Sequence, residues 1–180
     1  MDILTSNIKL HNNHSIKNSI EFINKIQNIN IKQLYKIASF DIVNLYTNIP
    51  VTETICLVKE NLMNSHNLNS QQINEIIKLL TTVLSQNYFT YNDKFYTQNK
   101  GLTMGTPLSG FLADIYLHNY EEKYLFSNNN IFTKNIISYS RYVDDTFIIY
   151  NGTNRQLDNL KAYLNNINNN IQFALEMKIV

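Results

Sequence analysis

Apolar positions recur along this chain with two different periods, and the change from one to the other divides it into elements. After a polar opening without clear period (residues 1–14), Ile16, Ile20, Ile23 and Ile26 return every three or four positions, with Phe22 and Ile29 beside them. That spacing predicts an amphipathic helix capped by Ser15 and ending near Ile29. Tyr35 to Tyr46 is dense in β-branched and aromatic residues and predicts a strand. Thr47 to Pro50 breaks the chain, and Pro50 suits a helix start. Helical spacing then resumes from Thr52 to Asn64, with Ile55, Val58 and Leu62 inward. It resumes again from a Ser70 cap, with Ile73, Ile76, Ile77, Leu80 and Leu84 on one stripe. Tyr88–Tyr91 and Lys94–Thr97 flank Asn92-Asp93 as a β-hairpin would. A long helix is predicted from Leu108 to about Phe126, burying Ala113, Tyr116, Leu117 and Tyr120. Ser138 to Tyr150 predicts a second hairpin, Arg155 to Ile167 a helix with Leu157, Leu160 and Leu164 inside, and Ile171 to Lys178 an alternating, half-buried strand. This order suits an α+β layer with antiparallel strands covered by helices. No internal repeat is evident.

Composition narrows the picture only at a few points. The 180 residues suit one domain or a large piece of one. A net charge of +1 gives no global basic field that would announce nucleic acid. The single cysteine, Cys56, excludes an internal disulfide, suits a reducing compartment and reads as core filler. No apolar run reaches the roughly 18 residues of a membrane span, and no signal-peptide core is present. The expectation is an intracellular protein, nuclear or cytoplasmic and not secreted. His11 and His14 read as solvated, and the Asn clusters at 128–130 and 168–170 as loops. With four glycines and two prolines in all, the segment Gln98 to Ser109 stands out, because it holds Gly101, Gly105 and Pro107. A glycine-bearing loop entering a helix can present N–H groups to phosphate or admit a ligand closely, although such loops are also ordinary helix entries.

The candidate chemistry lies in three acids. Asp144 and Asp145 are predicted to form the two-residue turn of the second hairpin. The favoured turn pairs carry Gly or Asn, and a second Asp adds like-charge repulsion. The flanking strands are nearly all apolar, so the turn projects from a buried sheet. Two carboxylates held on rigid strands suit a hard divalent cation; an acidic surface turn is the plain alternative. Asp41 interrupts another apolar strand, where an acid is costly to bury unless paired, hydrogen-bonded or bound to metal; capping the following turn is its structural alternative. If the two strands are neighbours, the three carboxylates converge at one end of the sheet. Such a cluster can hold two magnesium ions about 3.5–4 Å apart, one activating a hydroxyl and one steadying a leaving oxygen. Phosphoryl or nucleotidyl transfer is the chemistry this favours.

These segments also resemble a reverse transcriptase palm, and closely resemble those of Penelope-like retroelements. Phe40-Asp41-Ile-Val-Asn-Leu-Tyr46-Thr-Asn-Ile-Pro50 is similar to that group's first catalytic motif. Gly101-Leu-Thr-Met-Gly105-Thr-Pro107-Leu-Ser109, running into Leu112-Ala-Asp-Ile-Tyr-Leu117, is similar to the second, and Arg141-Tyr-Val-Asp144-Asp145 to the Tyr-X-Asp-Asp box. Three motifs in order, in a likeness running from about residue 14, make it specific. It implies a polymerase palm, a ferredoxin/RRM-like antiparallel sheet with helices on one face, over 15–180 with partial fingers and no thumb. It further implies an RNA-directed DNA polymerase in which Asp41, Asp144 and Asp145 are catalytic and hold two Mg2+ ions, or Mn2+, with the Ile42 carbonyl assisting. Tyr46, Gln98, Gly101, Gly105 and Pro107 would line the nucleotide pocket, Tyr46 stacking under the sugar and rejecting a 2′-hydroxyl. Partners would be an RNA template, a DNA primer and dNTPs, with no membrane.

The departures shape the expectation. Residues 1–14 cannot supply basic fingers, the primer grip and thumb that should follow residue 180 are not in the sequence, and neither is the GIY-YIG endonuclease that often accompanies the group. A fragment with intact catalytic acids and little polymerase activity of its own is expected, needing the missing regions or a second chain. The competing reading is an inactive remnant that binds RNA or protein through its sheet. A polymerase using RNA precursors is disfavoured by Tyr46, and nothing in the sequence selects telomerase-like use.

Overall fold

The computed structural model describes residues 1–10, 14–127 and 130–178; His11 and two of the clustered asparagines, Asn128 and Asn129, lie outside the described residues. In chain order the elements are α1 (Asp2–Asn7), α2 (Ser19–Ile26), β1 (Tyr35–Ile42), α3 (Leu45–Asn48), α4 (Val51–Asn64), α5 (Ser70–Ser85), β2 (Tyr88–Tyr91) and β3 (Lys94–Thr97). There follow α6 (Pro107–Tyr120), a π-helical turn (Glu121–Leu125), a 3-10 turn (Thr133–Asn135), β4 (Ile136–Tyr142), β5 (Asp145–Asn151), α7 (Asn154–Ile167) and β6 (Phe173–Lys178). The chain divides into two compact units, 1–11 with 44–119, and 12–43 with 120–180. Residues 2–7, read as irregular, form a helix that buries Leu4.

The second unit is built on a four-stranded sheet in the order β4-β5-β1-β6, antiparallel throughout. Strand alternation gives its two faces different characters. Ala38, Phe40 and Ile42 of β1 are buried, as are Thr146, Ile148 and Tyr150 of β5. On that face Phe40 meets Phe173 edge-on at 6.2 Å and Tyr120 meets Phe173 at 5.8 Å, while the Tyr120 hydroxyl donates to the Leu164 carbonyl of α7. α7 follows its periodicity: Leu157, Leu160 and Leu164 are buried, and a reciprocal capping box joins Thr153 and Gln156. The opposite face carries Asp41 and Asp145, with Phe22 of α2 packed on Phe147 at 5.0 Å. α2 starts at an Asn18 cap instead of Ser15, because residues 14–16 pair with Arg141 beside β4 and cannot also coil.

The first unit is helical apart from the β2–β3 hairpin. In α4 the buried side chains are Thr54, Leu57, Val58 and Leu62, with Ile55 only half-buried; α4 packs on α5, which buries Ile73 and Leu80. Cys56 is exposed, so it is not core filler. α5 begins one residue earlier in its cap than expected, at Asn69, whose side chain accepts the Gln72 N–H while the Gln72 side chain accepts the Asn69 N–H. The β2–β3 turn follows its Asn-Asp chemistry, with φ of 50° and 58° at Asn92 and Asp93. The long helix stays regular only to Tyr120 and then widens into the π-helical turn.

The packing sets a clear rank of sensitivities. Leu160→Ala, at a fully buried site, is expected to lower unfolding free energy by about 2–5 kcal/mol, whereas Thr153→Ala, which removes only the cap, costs about 1 kcal/mol. Urea denaturation followed by circular dichroism checks both.

Candidate active site

The site begins with register. β1 and β5 pair so that Asp41 lies directly opposite Asp145, after Ser39 opposite Phe147 and Phe40 opposite Thr146. Directly opposed residues point to the same face, so the two carboxylates share it. Thr146, buried beside them, fixes that register: its hydroxyl donates to the Phe40 carbonyl at 2.9 Å and accepts from the Phe40 N–H at 3.2 Å. Asp144 follows from the same junction, because its carbonyl accepts the Ile42 N–H at 3.2 Å. All three acids expected to act together are therefore brought to one end of the sheet. Asp41 and Asp145 are exposed and Asp144 is half-buried. The burial cost expected for Asp41 does not arise, since strand alternation turns it away from the Phe40–Ile42 core.

The turn itself differs from the sequence expectation. Tyr142 pairs with Asp145, so the two central residues are Val143 and Asp144, and Asp145 already belongs to β5. Val143 has φ 57°, a left-handed conformation, and Asp144 does not. Positive φ at the first central position alone is the pattern of a type II′ turn, which favours Gly there. A β-branched residue in that conformation is strained, at a cost on the order of 1–3 kcal/mol that the surroundings must offset.

Those surroundings include a buried polar network that sequence reading missed. Arg141 is fully buried, and its Nε donates to Glu121 Oε1 at 2.6 Å. Its Nη2 reaches Glu121 Oε2 at 3.5 Å, and its Nη1 donates to the Val143 carbonyl at 3.2 Å. The Tyr139 hydroxyl also donates to Glu121 Oε1, at 2.8 Å. Burial first, and Glu121 second, push the Tyr139 hydroxyl well above its usual pKa, so it stays a donor. Lys25 of α2 donates to the Tyr139 carbonyl at 2.7 Å; burial lowers its pKa, against the opposing pull of Glu121 and Glu21. His14, read as solvated, is half-buried and stacks on Phe126 at 3.9 Å. The signal available in the sequence was an arginine inside an apolar strand, which requires a buried acid somewhere else in the chain.

The nucleotide-binding candidates lie in the first unit. Gly101 has φ 73°, and a Cβ there would collide with the Tyr46 carbonyl and with Thr47. The loop backbone closes on the same carbonyl through the Leu102 N–H at 2.7 Å. Tyr46 and Gly101 are thus brought together by backbone contact that only glycine permits. The Tyr46 ring extends toward Gly110 of α6. Gln98 turns inward and donates to the Lys100 and Leu102 carbonyls, which holds the loop closed. Gly105 has φ 86° with open space around it, and Pro107 is the first residue of α6, where its missing N–H costs nothing. Lys100 is exposed.

The donor set fits Mg2+ or Mn2+ in kind, being three carboxylates and a main-chain carbonyl, all hard oxygens. Among the described residues, no group of three or more His, Cys, Asp or Glu side chains forms a ready-made metal cage. Carboxylates drawn together without a cation repel one another. Among the described residues, no helix is long and apolar enough to cross a membrane.

Solved structures share this fold. The solved telomerase of Candida albicans, in complex with a TWJ fragment of telomeric RNA, superposes with a TM-score of 0.67 at 14% identity, over 91% of this chain and 32% of that one. The apo telomerase of Candida tropicalis gives 0.68 at 13% identity, over 99% and 35%. A form of the latter truncated from its C-terminal domain gives 0.69 at 13%, over 98% and 40%. The chain therefore spans about a third to two fifths of these proteins and shares the fold of their palm-like region. No curated protein sequence matches it. The sequence profile of the family described as Reverse transcriptase (RNA-dependent DNA polymerase) matches residues 2–178, nearly the whole chain, and the chain belongs to that family.

Proposed function

We propose that this chain is the palm, with part of the fingers, of a retroelement RNA-directed DNA polymerase of the Penelope-like kind. The observation that carries the reading is the opposition of Asp41 and Asp145 across β1 and β5, with Asp144 in the adjoining turn. Like charges placed directly opposite destabilise a sheet, so the pairing is better explained by a bound cation than by stability. Asp41, Asp144 and Asp145 would hold Mg2+ or Mn2+, with the Ile42 carbonyl assisting. The bound ions would supply Lewis acidity to the primer hydroxyl and to the phosphate oxygens. The reaction is attack of a primer 3′-hydroxyl on the α-phosphate of a dNTP opposite an RNA template, with release of pyrophosphate. The chain's own contribution is to fix the carboxylates on rigid strands, so that positioning and electrostatic stabilisation are prepared in advance. The Penelope-like assignment rests on the Tyr46-Thr-Asn-Ile-Pro50 extension and the Arg141–Asp145 box. Tyr46 is assigned the exclusion of a 2′-hydroxyl, and Gln98, Gly101, Gly105 and Pro107 the shaping of the nucleotide pocket. The competing reading is an inactive remnant that binds RNA or protein through its sheet.

Two measurements separate these readings. Titration of Mn2+ by calorimetry, with and without primer–template and dNTP, is expected to show binding that strengthens with dNTP. Asp144→Asn weakens it by about tenfold or more, in line with the loss seen when metal-site groups are removed. Equal binding by the two folded proteins favours the remnant. In primer extension, Tyr46→Ala is expected to raise ribonucleotide use relative to dNTP by about tenfold, equivalent to ~1.4 kcal/mol of lost discrimination. An unchanged sugar preference removes the gate from Tyr46.

A further inference from the structure

The metal-site reading makes no use of the buried arginine beneath the acidic turn. Arg141 lies on the covered face of β4, opposite Thr146, and is 0% exposed. Its backbone is committed on both sides: its N–H donates to the His14 carbonyl at 2.8 Å, and its carbonyl accepts the Ile16 N–H at 2.8 Å. Its side chain is committed as well. Glu121, delivered by the π-helical turn and fixed by the Tyr139 hydroxyl at 2.8 Å, takes the Nε edge at 2.6 Å. One arm of the fork remains directed forward, and Nη1 meets the Val143 carbonyl at 3.2 Å.

That carbonyl belongs to the peptide plane joining Val143 to Asp144. Rotation of this plane is the motion that converts one two-residue turn type into another, and it re-aims the residue that follows. A valine at φ 57° resists the conformation seen here, so the turn depends on contacts that hold its peptide planes. A charged donor on its oxygen holds it in place. We propose that Arg141, braced by Glu121, is a positioning residue that locks the Val143–Asp144 peptide and so keeps Asp144 and Asp145 aimed for metal. The inference rests on the metal-site reading above, but its first link, from the arginine to the turn, can be tested separately. It needs the fork of a guanidinium, because one edge must satisfy the buried carboxylate while another donates forward. A lysine offers a single point charge and cannot do both with the same geometry.

The experiment compares wild type, Arg141→Lys, Val143→Gly and Arg141→Lys/Val143→Gly in the same chain. Mn2+ alone is the probe, its binding followed by electron paramagnetic resonance, and thermal melting checks the fold. Arg141→Lys is expected to weaken Mn2+ binding about tenfold, the lower end of the 10–100-fold effect typical of groups that orient metal ligands. Val143→Gly, which accepts positive φ without strain, is expected to bring the double variant back to the affinity of Val143→Gly alone. Wild-type affinity in Arg141→Lys, or no recovery in the double variant, overturns the proposal. NMR relaxation dispersion at the Asp144 and Asp145 amides separates this from failure of the metal reading. Exchange broadening in Arg141→Lys that Val143→Gly removes sustains the brace even if wild type binds no Mn2+, in which case the metal reading alone falls. Absence of broadening together with absence of binding overturns both. Should Arg141→Lys lose its cooperative melt, Glu121→Met/Arg141→Met removes the ion pair as a whole, a change that buried pairs tolerate. It carries the same expectations and the same refutations.

Discussion

The proposed metal site depends on the register between β1 and β5. Antiparallel pairing has a period of two, so a slip of one residue would send Asp41 into the helix-covered core and turn Phe40 out to solvent. The buried residues Ala38, Phe40 and Ile42 forbid that slip on one strand, and Thr146, Ile148 and Tyr150 forbid it on the other. Thr146 adds a polar lock, since its hydroxyl both donates to and accepts from the backbone of Phe40. Apolar packing on one face thereby enforces an opposition of like charges on the other that the strands would not choose for themselves.

The acidic turn shows the same division of labour on a smaller scale. Val143 occupies a position where glycine is favoured, and the hairpin accepts it because both flanking strands are held elsewhere. β4 is fixed on its outer side by the 14–16 segment and from its covered face by the Arg141–Glu121 pair. A buried ion pair adds little net stability, because desolvation of both charges offsets their attraction. Its presence beneath a strained turn makes better sense as geometry than as stability. The π-helical turn that supplies Glu121 fits this view: the long helix changes its winding at Glu121–Leu125, where the carboxylate is needed.

The family profile fixes the general class of the chain, and the telomerases of Candida share its fold. The identities of 13–14% mean that the superposition speaks for the fold and not for substrate. The first unit contributes the loop whose glycines were singled out in the sequence, and there Gly101 alone permits the close approach of the loop to the backbone of Tyr46 and Thr47.

The sequence by itself determined the elements with long, clean periods. α5 and α7 carry their apolar stripes and cap residues within one continuous segment, and the strands alternate or cluster β-branched residues locally. It also placed the three acids near strand ends, because an acid in an apolar run is visible without knowing its neighbours. What it could not supply were features that depend on residues far apart. The Ser15 helix start gave way to pairing with Arg141, more than a hundred positions away. The Asp-Asp turn became Val143–Asp144 because register, set by core packing across the sheet, outranked local turn preference. Cys56 and Ile55 moved off the core because the neighbouring helix, and not the periodicity alone, chose which side of α4 to cover. Arg141 found Glu121 only in the folded unit, since a buried charge must be paired but its sequence does not say with what. Local propensity and periodicity are properties of a segment; register, burial and charge pairing are properties of the assembled sheet, and tertiary structure alone decides them.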